Sequence, residues 1–377
     1  MPFEETTLFL ESISSHWLRD NSSKIMKTKI FCMMVLCTGL LVGCDKEPII
    51  PEEPVKPPIE QPEKPEQPSE PDEPEEPEKP IEPGELPSTE KIINFNNEFM
   101  IVGADKNVWW SGIAYGNGKY VAVGNGVSNS GYITSSTNGE NWSTVKTEGM
   151  KGWYDIAYGN GKFVVVGSSS GSYATSSTDG ENWSNIINLN DNIGLMKIVF
   201  GNGKFVVIPK SSYVDRSPII SSADGINWNT YSFNIGGDYD TPRDIVYANG
   251  IFLIIGSSGN RGFTITSTDG FSWSTPTYNI DSSLLYMAYG NGKFVAGNQK
   301  GDISISTDGK SWSSLKRVYD NDIQIFNIVY ANGKFVILGT QFNPVYGGFI
   351  LTSIDGENWS EPIQISNQPI SDICAMP

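Results

Sequence analysis

The sequence is short of the residue types on which most enzyme chemistry and most polyanion binding depend. Its 377 residues include one histidine and four cysteines, and 26 Lys and Arg stand against 43 Asp and Glu, a net charge of −17. No block of cations interrupts this acidity, so the clustered phosphate contacts that release counterions are missing, which excludes a nucleic-acid partner. Long hydrophobic runs are also absent. The best of them, Ile30 to Val42, has about thirteen residues where a membrane-spanning helix needs about 20.

What that run does have is the flanks of a leader. Lys27 and Lys29 precede it, and Leu41-Val42-Gly43-Cys44 ends it with a small residue and a cysteine. This pattern resembles the signal peptide of bacterial lipoproteins, and the resemblance implies removal of residues 1–43, an alternative translation start at Met26, and lipidation of Cys44. Loss of the leader simplifies the chemistry. Cys32 and Cys37 leave with it, Cys374 remains without a partner, and no intramolecular disulfide is expected. His16 leaves too, so histidine general bases, Ser-His-Asp and Cys-His systems and the usual zinc sites are excluded, and no cofactor or metal is expected.

Residues 44–90 form a low-complexity tract. From Asp45 to Glu90 there are 14 of the 23 prolines, and 16 acidic residues against four basic. Most prolines recur every third residue, the period of the polyproline II helix, and like-charged glutamates extend such a chain further. A stiff acidic spacer is expected here, lifting residues 91–377 off a membrane.

From Lys91 onward the chain repeats. Tyr-Gly-Asn-Gly-Lys starts at Tyr115, Tyr158 and Tyr289, with variants at Phe200, Tyr247 and Tyr330. A second element, Asp-Gly-x-x-Trp, places Asp179, Asp224, Asp269, Asp308 and Asp355 before Trp183, Trp228, Trp273, Trp312 and Trp359, and a first copy has Asn138 and Trp142. Successive tryptophans are 41, 45, 45, 39 and 47 residues apart, spacings that signal a repeat architecture. Apolar runs on both sides of Asn-Gly predict a hairpin with a type I′ turn, and a second hairpin turns at Asp-Gly. Two hairpins make a four-stranded antiparallel sheet. Its apolar inner strands need cover on both faces, which a closed ring of such sheets supplies, so the expected fold is an all-β propeller.

Ser177-Thr178-Asp179-Gly180-Glu181-Asn182-Trp183 resembles the Asp-box, or BNR, repeat of sialidase-like β-propellers, in a shortened variant where glycine directly follows aspartate. In that family the box is a structural turn, so the resemblance implies a fold and leaves the activity open. The family's Arg-Ile-Pro type motif is absent, since Arg243 stands in Pro242-Arg243-Asp244. A copy of the first strand, Ser371-Asp372-Ile373, lies near the C-terminus, and Asn94 to Gly103 reads as a second or third strand without partners. Joining them gives a seventh blade made from both ends of the chain, with six blades as the alternative.

Because Asn-Gly and Asp-Gly turns alternate, both sets fall on one rim, and the irregular stretches, such as Lys210 to Pro218 and Phe233 to Arg243, fall on the other. Two constellations there are candidate ligand sites. Arg216, Arg243 and Arg261, assigned to loops of the third and fourth blades, could hold a carboxylate or sulfate. Asp155, Lys197, Asp244, Asn327 and Asp372 share one register on first strands and could ring the channel mouth, offering oxygen ligands to a cation or to sugar hydroxyls. Trp110, Trp153, Tyr154, Tyr213, Tyr239, Tyr319 and Tyr346 are candidates for stacking on sugars. The expectation is a monomeric, lipid-anchored module of the bacterial cell envelope, at the outer membrane or cell surface, that binds a glycan or an envelope protein without catalysis. The alternatives are a polysaccharide-acting enzyme using Asp, Glu and Tyr, and an assembly or scaffold factor. If the chain faces outward, protease treatment of whole cells should cut the proline tract and release an intact fragment of about 290 residues; digestion to small peptides would contradict the organisation.

Overall fold

The computed structural model describes residues 92–104, 108–126, 130–143, 146–147, 152–169, 171–190, 194–209, 218–231, 240–319, 323–341 and 346–376. The expected leader, Cys44, the acidic tract and Arg216 lie outside these residues. All regular structure among them is β, arranged as seven antiparallel sheets.

Blade 1 consists of Val108–Gly116, Lys119–Gly126, Gly131–Ser136 and Lys146–Thr147, and blade 2 of Gly152–Gly159, Lys162–Ser168, Ser172–Ser177 and Ile187–Asn190. Leu195–Gly201, Lys204–Pro209, Ile219–Ser222 and Asn229–Tyr231 make blade 3, and Asp240–Ala248, Ile251–Ser258, Arg261–Ser267 and Thr277–Ile280 make blade 4. Blade 5 has Tyr286–Gly290, Lys293–Gly297, Asp302–Ser306 and Lys316–Arg317; blade 6 has Ile323–Ala331, Lys334–Gln341, Gly347–Ser353 and Ile363–Ser366. The seventh joins the two ends of the fold. Its first strand is Ile370–Ala375, followed across the sheet by Phe99–Gly103 and Ile92–Phe95. Each first strand packs against the next around the circle, with Ile370–Ala375 touching both Val108–Gly116 and Ile323–Ala331, so the ring is closed. The expected propeller is present with seven blades. Among the described residues the closing blade has three strands, where each of the other six has four.

Burial explains why the ring must close. In Lys162–Ser168 the side chains of Phe163 and Val165 join a cluster with Val121 and Val123 of blade 1, whereas Val164 and Val166 join one with Phe205 and Val207 of blade 3. A strand whose alternate residues are all apolar has no face left for water. Seven such clusters fill the seven interfaces, the last formed by Val336, Leu338 and Ile350 of blade 6 with Phe99, Ile101, Ile370 and Ile373 of the closing blade.

The turns follow the sequence pattern. Asn117, Asn160, Asn202, Asn249, Asn291 and Asn332 have φ between 45° and 52°, each followed by a glycine with positive φ, which is the type I′ geometry that asparagine tolerates and glycine favours. In the Asp-Gly turns the carboxylate organises the backbone. Asp224 Oδ1 accepts from Ile226 N at 2.9 Å and Asn227 N at 2.7 Å, and Ser222 Oγ accepts from Gly225 N at 2.8 Å. These N–H groups hold the carboxyl of Asp224, and of Asp179, Asp269, Asp308 and Asp355, well below the usual carboxylate range. Trp183 and its counterparts Trp142, Trp228, Trp273, Trp312 and Trp359 are half-buried and pack against the inter-blade clusters.

Five of the six Asn-Gly hairpins then grip the next blade. Asn117 Nδ2 donates to Thr178 O, Asn160 to Ala223 O, Asn202 to Thr268 O and Asn291 to Ile354 O, at 3.1 to 3.5 Å. The lysine that follows completes the grip: Lys119 pairs with Glu181 at 2.6 Å and Lys293 with Glu357 at 2.8 Å, Lys162 reaches Asp224 O, and Lys204 lies 3.5 Å from the centre of the Phe271 ring. Blade 4 carries Ile251 in place of this lysine. The facing residue on blade 5 is Lys310, and a second lysine there would meet a like charge. At the seam Asn332 and Lys334 hold Glu98, in the turn between the two N-terminal strands, so that turn takes the place of the missing Asp-Gly turn.

Packing across this rim fixes glycines as well. Gly116, Gly159, Gly201 and Gly290 lie under the rings of Tyr158, Phe200, Tyr247 and Tyr330 of the following blades, and a Cβ at any of them would overlap the ring. We expect Gly159→Ala to cost about 1–3 kcal/mol by overpacking, and Asp224→Ala about 1–2 kcal/mol by leaving turn N–H groups unpaired. Urea unfolding measures both; parental midpoints would contradict the packing described.

Candidate functional site: the channel ring and its mouth

The ring residues owe their direction to a fault in six of the seven first strands. The ladder slips by one residue between Trp110 and Gly112, Trp153 and Asp155, Leu195 and Lys197, Pro242 and Asp244, and Ile325 and Asn327, and between Asp372 and Ile370 in the closing blade. A bulge inserts a residue and re-aims its neighbours. Asp155, Lys197, Asp244, Asn327 and Asp372 therefore share one position, as the repeat alignment placed them, and Gly112 and Met287 occupy it in blades 1 and 5.

The carboxylates of this ring accept backbone hydrogen bonds from two blades at once. Asp155 takes Ile156 N on Oδ1 at 3.0 Å and, on Oδ2, Ile198 N of blade 3 at 2.9 Å. Asp244 does the same with Ile245 N at 2.9 Å and Met287 N of blade 5 at 2.8 Å. Asp372 accepts from Ile113 N of blade 1 at 3.0 Å and from Asn327 Nδ2 of blade 6 at 2.7 Å. Where blade 1 has Gly112, the preceding Ser111 instead donates from Oγ to Trp153 O at 2.8 Å. The ring is thus a belt of inter-blade clasps. The three carboxylates are buried, and their oxygens are occupied by N–H donors that a cation would have to displace.

Lys197 supplies the opposite charge. Burial works against its ammonium, but Asp155, Asp372 and Asp244 outweigh burial and hold it protonated above the ordinary lysine range. Their effect on one amine shows that residues from blades 2, 4 and 7 converge on it. Burial likewise raises Asp155, and raises Asp244 and Asp372 to about 6, with Lys197 and the backbone donors pulling the other way.

Just above the belt, on the side away from the turns, stand half-buried Tyr154, Arg243 and Phe326 in the bulges and Tyr286 at the start of its strand. Burial raises Tyr286, and the charges of Lys197, Asp244 and Arg243 also act on its hydroxyl, so these four groups meet at the mouth. Arg243 belongs to strand Asp240–Ala248, which corrects its assignment to a loop; the bulge turns it out of the ladder, and its Nε donates to Ser257 Oγ at 3.0 Å. Arg261 is exposed at the start of its strand, with Ser258, next to Ser257, as its ladder partner, so both arginines lie at one end of blade 4. Trp110 and Trp153 are fully buried between blades and have no face for a sugar. Tyr346 is exposed, and Tyr213 and Tyr239 lie outside the described residues.

Solved structures share this architecture. YCF48 from Cyanidioschyzon merolae superposes with a TM-score of 0.51 at 15% identity, over 71% of this chain and 88% of that one. A structure of YCF48 bound to D1 peptide gives 0.52 at 17% identity, over 71% and 85%. The likeness is one of fold. No family model and no curated protein matches the sequence.

The raised carboxylates set a pH dependence. In the folded ring Asp244 and Asp372 keep a proton up to about pH 6, against about 4 in an unfolded chain, so the folded state binds more protons between those values. Their contribution to stability is full below about pH 4 and declines as pH rises through 6. Asp244→Asn should flatten that decline, measured as thermal midpoint against pH from 4 to 7. Asp244→Ala should lower the midpoint throughout, since Ile245 and Met287 N–H lose their acceptor at a cost of about 1–3 kcal/mol each. A parental profile for both variants would show that the clasp carries no load.

Proposed function

We propose that this propeller is a non-catalytic binding module that receives a segment of a protein partner at the channel mouth, from a lipid anchor on Cys44 in the bacterial cell envelope. The observation that carries the reading is the unequal fate of polar groups on the two sides of the ring. On the turn side, asparagine amides, lysines and aspartates are committed to the neighbouring blade. In the belt, the carboxylates an acid or base catalyst would need are committed to backbone N–H groups. At the mouth, the charges of Lys197 and Arg243 act on the Tyr286 hydroxyl, and Tyr154 and Phe326 stand at the bulges of their own first strands.

Such donors among aromatic faces suit a peptide, whose carbonyls and carboxylates accept hydrogen bonds and whose side chains pack on rings. A solved propeller of the same fold has D1 peptide bound to it, which supports a peptide as occupant in preference to a glycan. The lipid anchor rests on Leu41-Val42-Gly43-Cys44, and the acidic tract provides the reach from a membrane to the partner.

A photo-reactive amino acid at Tyr154 or Tyr286 should cross-link one envelope protein in intact cells, and Arg243→Glu should reduce the product at least tenfold. Polysaccharides incubated with the protein should yield no new reducing ends. Turnover abolished by Asp244→Asn or Asp155→Asn would replace this reading with an enzyme.

A further inference from the structure

We propose that the open edge of the closing blade, along Ile92–Phe95, accepts an extended, basic, alternately apolar segment of a partner protein as the missing fourth strand. This surface lies on the outer side of the blade, apart from the channel mouth, and the inference does not depend on what binds there. In six blades the third strand is covered by a fourth. Gly347–Ser353 of blade 6, for example, is paired along its outer edge with Ile363–Ser366 and is buried at all but one position. Ile92–Phe95 occupies the same third place in the closing blade, and among the described residues no strand pairs with its outer edge.

The side chains of this strand are less covered than those of its counterpart in blade 6. Only Ile92 of this strand is buried, while Ile93, Asn94 and Phe95 are half-buried. Ile93 and Phe95 lean on the cluster between blades 6 and 7. Ile363 stands opposite Ile350, a member of that cluster, and so is on the face of blade 6 that looks toward the closing blade; it is 47% exposed. Unpaired backbone groups beside an apolar step fit a strand that adds antiparallel through its main chain and lays alternate apolar side chains over Ile93, Phe95 and Ile363.

Three occupants compete, and sequence chemistry separates them. The tract that precedes Ile92 is a poor donor strand: from Pro51 to Pro87 no four consecutive residues are free of proline, which has no N–H for a ladder. A second copy would carry its own tract with 16 acidic and four basic residues, against like charge. The same tract, joined to the edge through Glu90 and Lys91, favours a partner with lysine or arginine near its strand.

The test uses a ten-residue peptide of alternating isoleucine and threonine with two lysines at each end, titrated into the full chain. Saturable binding is expected, with at least tenfold slower hydrogen exchange at those amides of Ile92–Phe95 that point away from Phe99–Gly103. Ile363→Asp should weaken it at least fivefold, as should glutamates in place of the lysines, and N-methylation of alternate peptide amides should abolish it. Absence of binding, protection confined to other blades, or indifference to N-methylation would overturn the proposal. So would protection, in the protein alone, of the amides of Ile92–Phe95 that point away from Phe99–Gly103, whether it grows with protein concentration, meaning a second copy, or disappears when residues 45–90 are shortened, meaning the chain's own tract.

Discussion

Burial on both faces of every blade is the constraint from which the other features follow. Second strands such as Phe163-Val164-Val165-Val166 and Phe252-Leu253-Ile254-Ile255 are fully buried, and their alternate side chains belong to different interfaces. A single blade would expose one apolar face to water, and a row of blades would expose two at its ends. Closing the row removes both. The solution requires the last interface to be as well filled as the others, and Phe99, Ile101, Ile370 and Ile373 fill it with residues from opposite ends of the folded segment.

Apolar contact is non-directional, so it sets the need for a ring without setting the angle between blades. Hydrogen bonds at two radii supply the direction. At the axis, Asp155, Asp244 and Asp372 each hold amides of two blades, and at the turn rim Asn117, Asn160, Asn202, Asn291 and Asn332 hold carbonyls of the next. Burying carboxylates is costly, and one lysine among three of them offsets part of that cost. A further consequence concerns function. The groups that lock the blades lie at the turn rim and in the belt, apart from the opposite mouth, where Arg243 and Tyr286 stand, and from the outer edge of Ile92–Phe95.

Much of this was legible in the sequence, for physical reasons. Asn-Gly between apolar runs has few backbone conformations to choose from, so Asn160 and Gly161 predicted their own turn. The pairing of Ser371-Asp372-Ile373 with Phe99–Gly103 was readable because a lone first strand and a second or third strand without partners each lack what the other has. The shared register of Asp155 and its counterparts was also readable, but not the bulge that aims them, since a one-residue slip leaves no mark on a period-two pattern. That slip is why Arg243 looked like a loop residue and proved to be a strand residue. The grip of each hairpin on the following blade was missed although a signal existed. Ile251 replaces lysine in the one repeat whose successor carries Lys310, where Lys119 and Lys293 face Glu181 and Glu357.

The account stands on closure by the two ends. Its most direct test is a chain ended after Pro369, which removes the first strand of the closing blade, Ile370–Ala375, and nothing from blades 1 to 6. Measured by hydrogen exchange and thermal unfolding, this chain should lose protection in blades 1 and 6 first and unfold without a sharp transition, since Ile113 N, Asn327 and the apolar faces of both blades lose their partners. A truncated chain that keeps parental protection in blades 1 to 6 and a cooperative transition at the parental midpoint would show that the ring does not depend on its clasp.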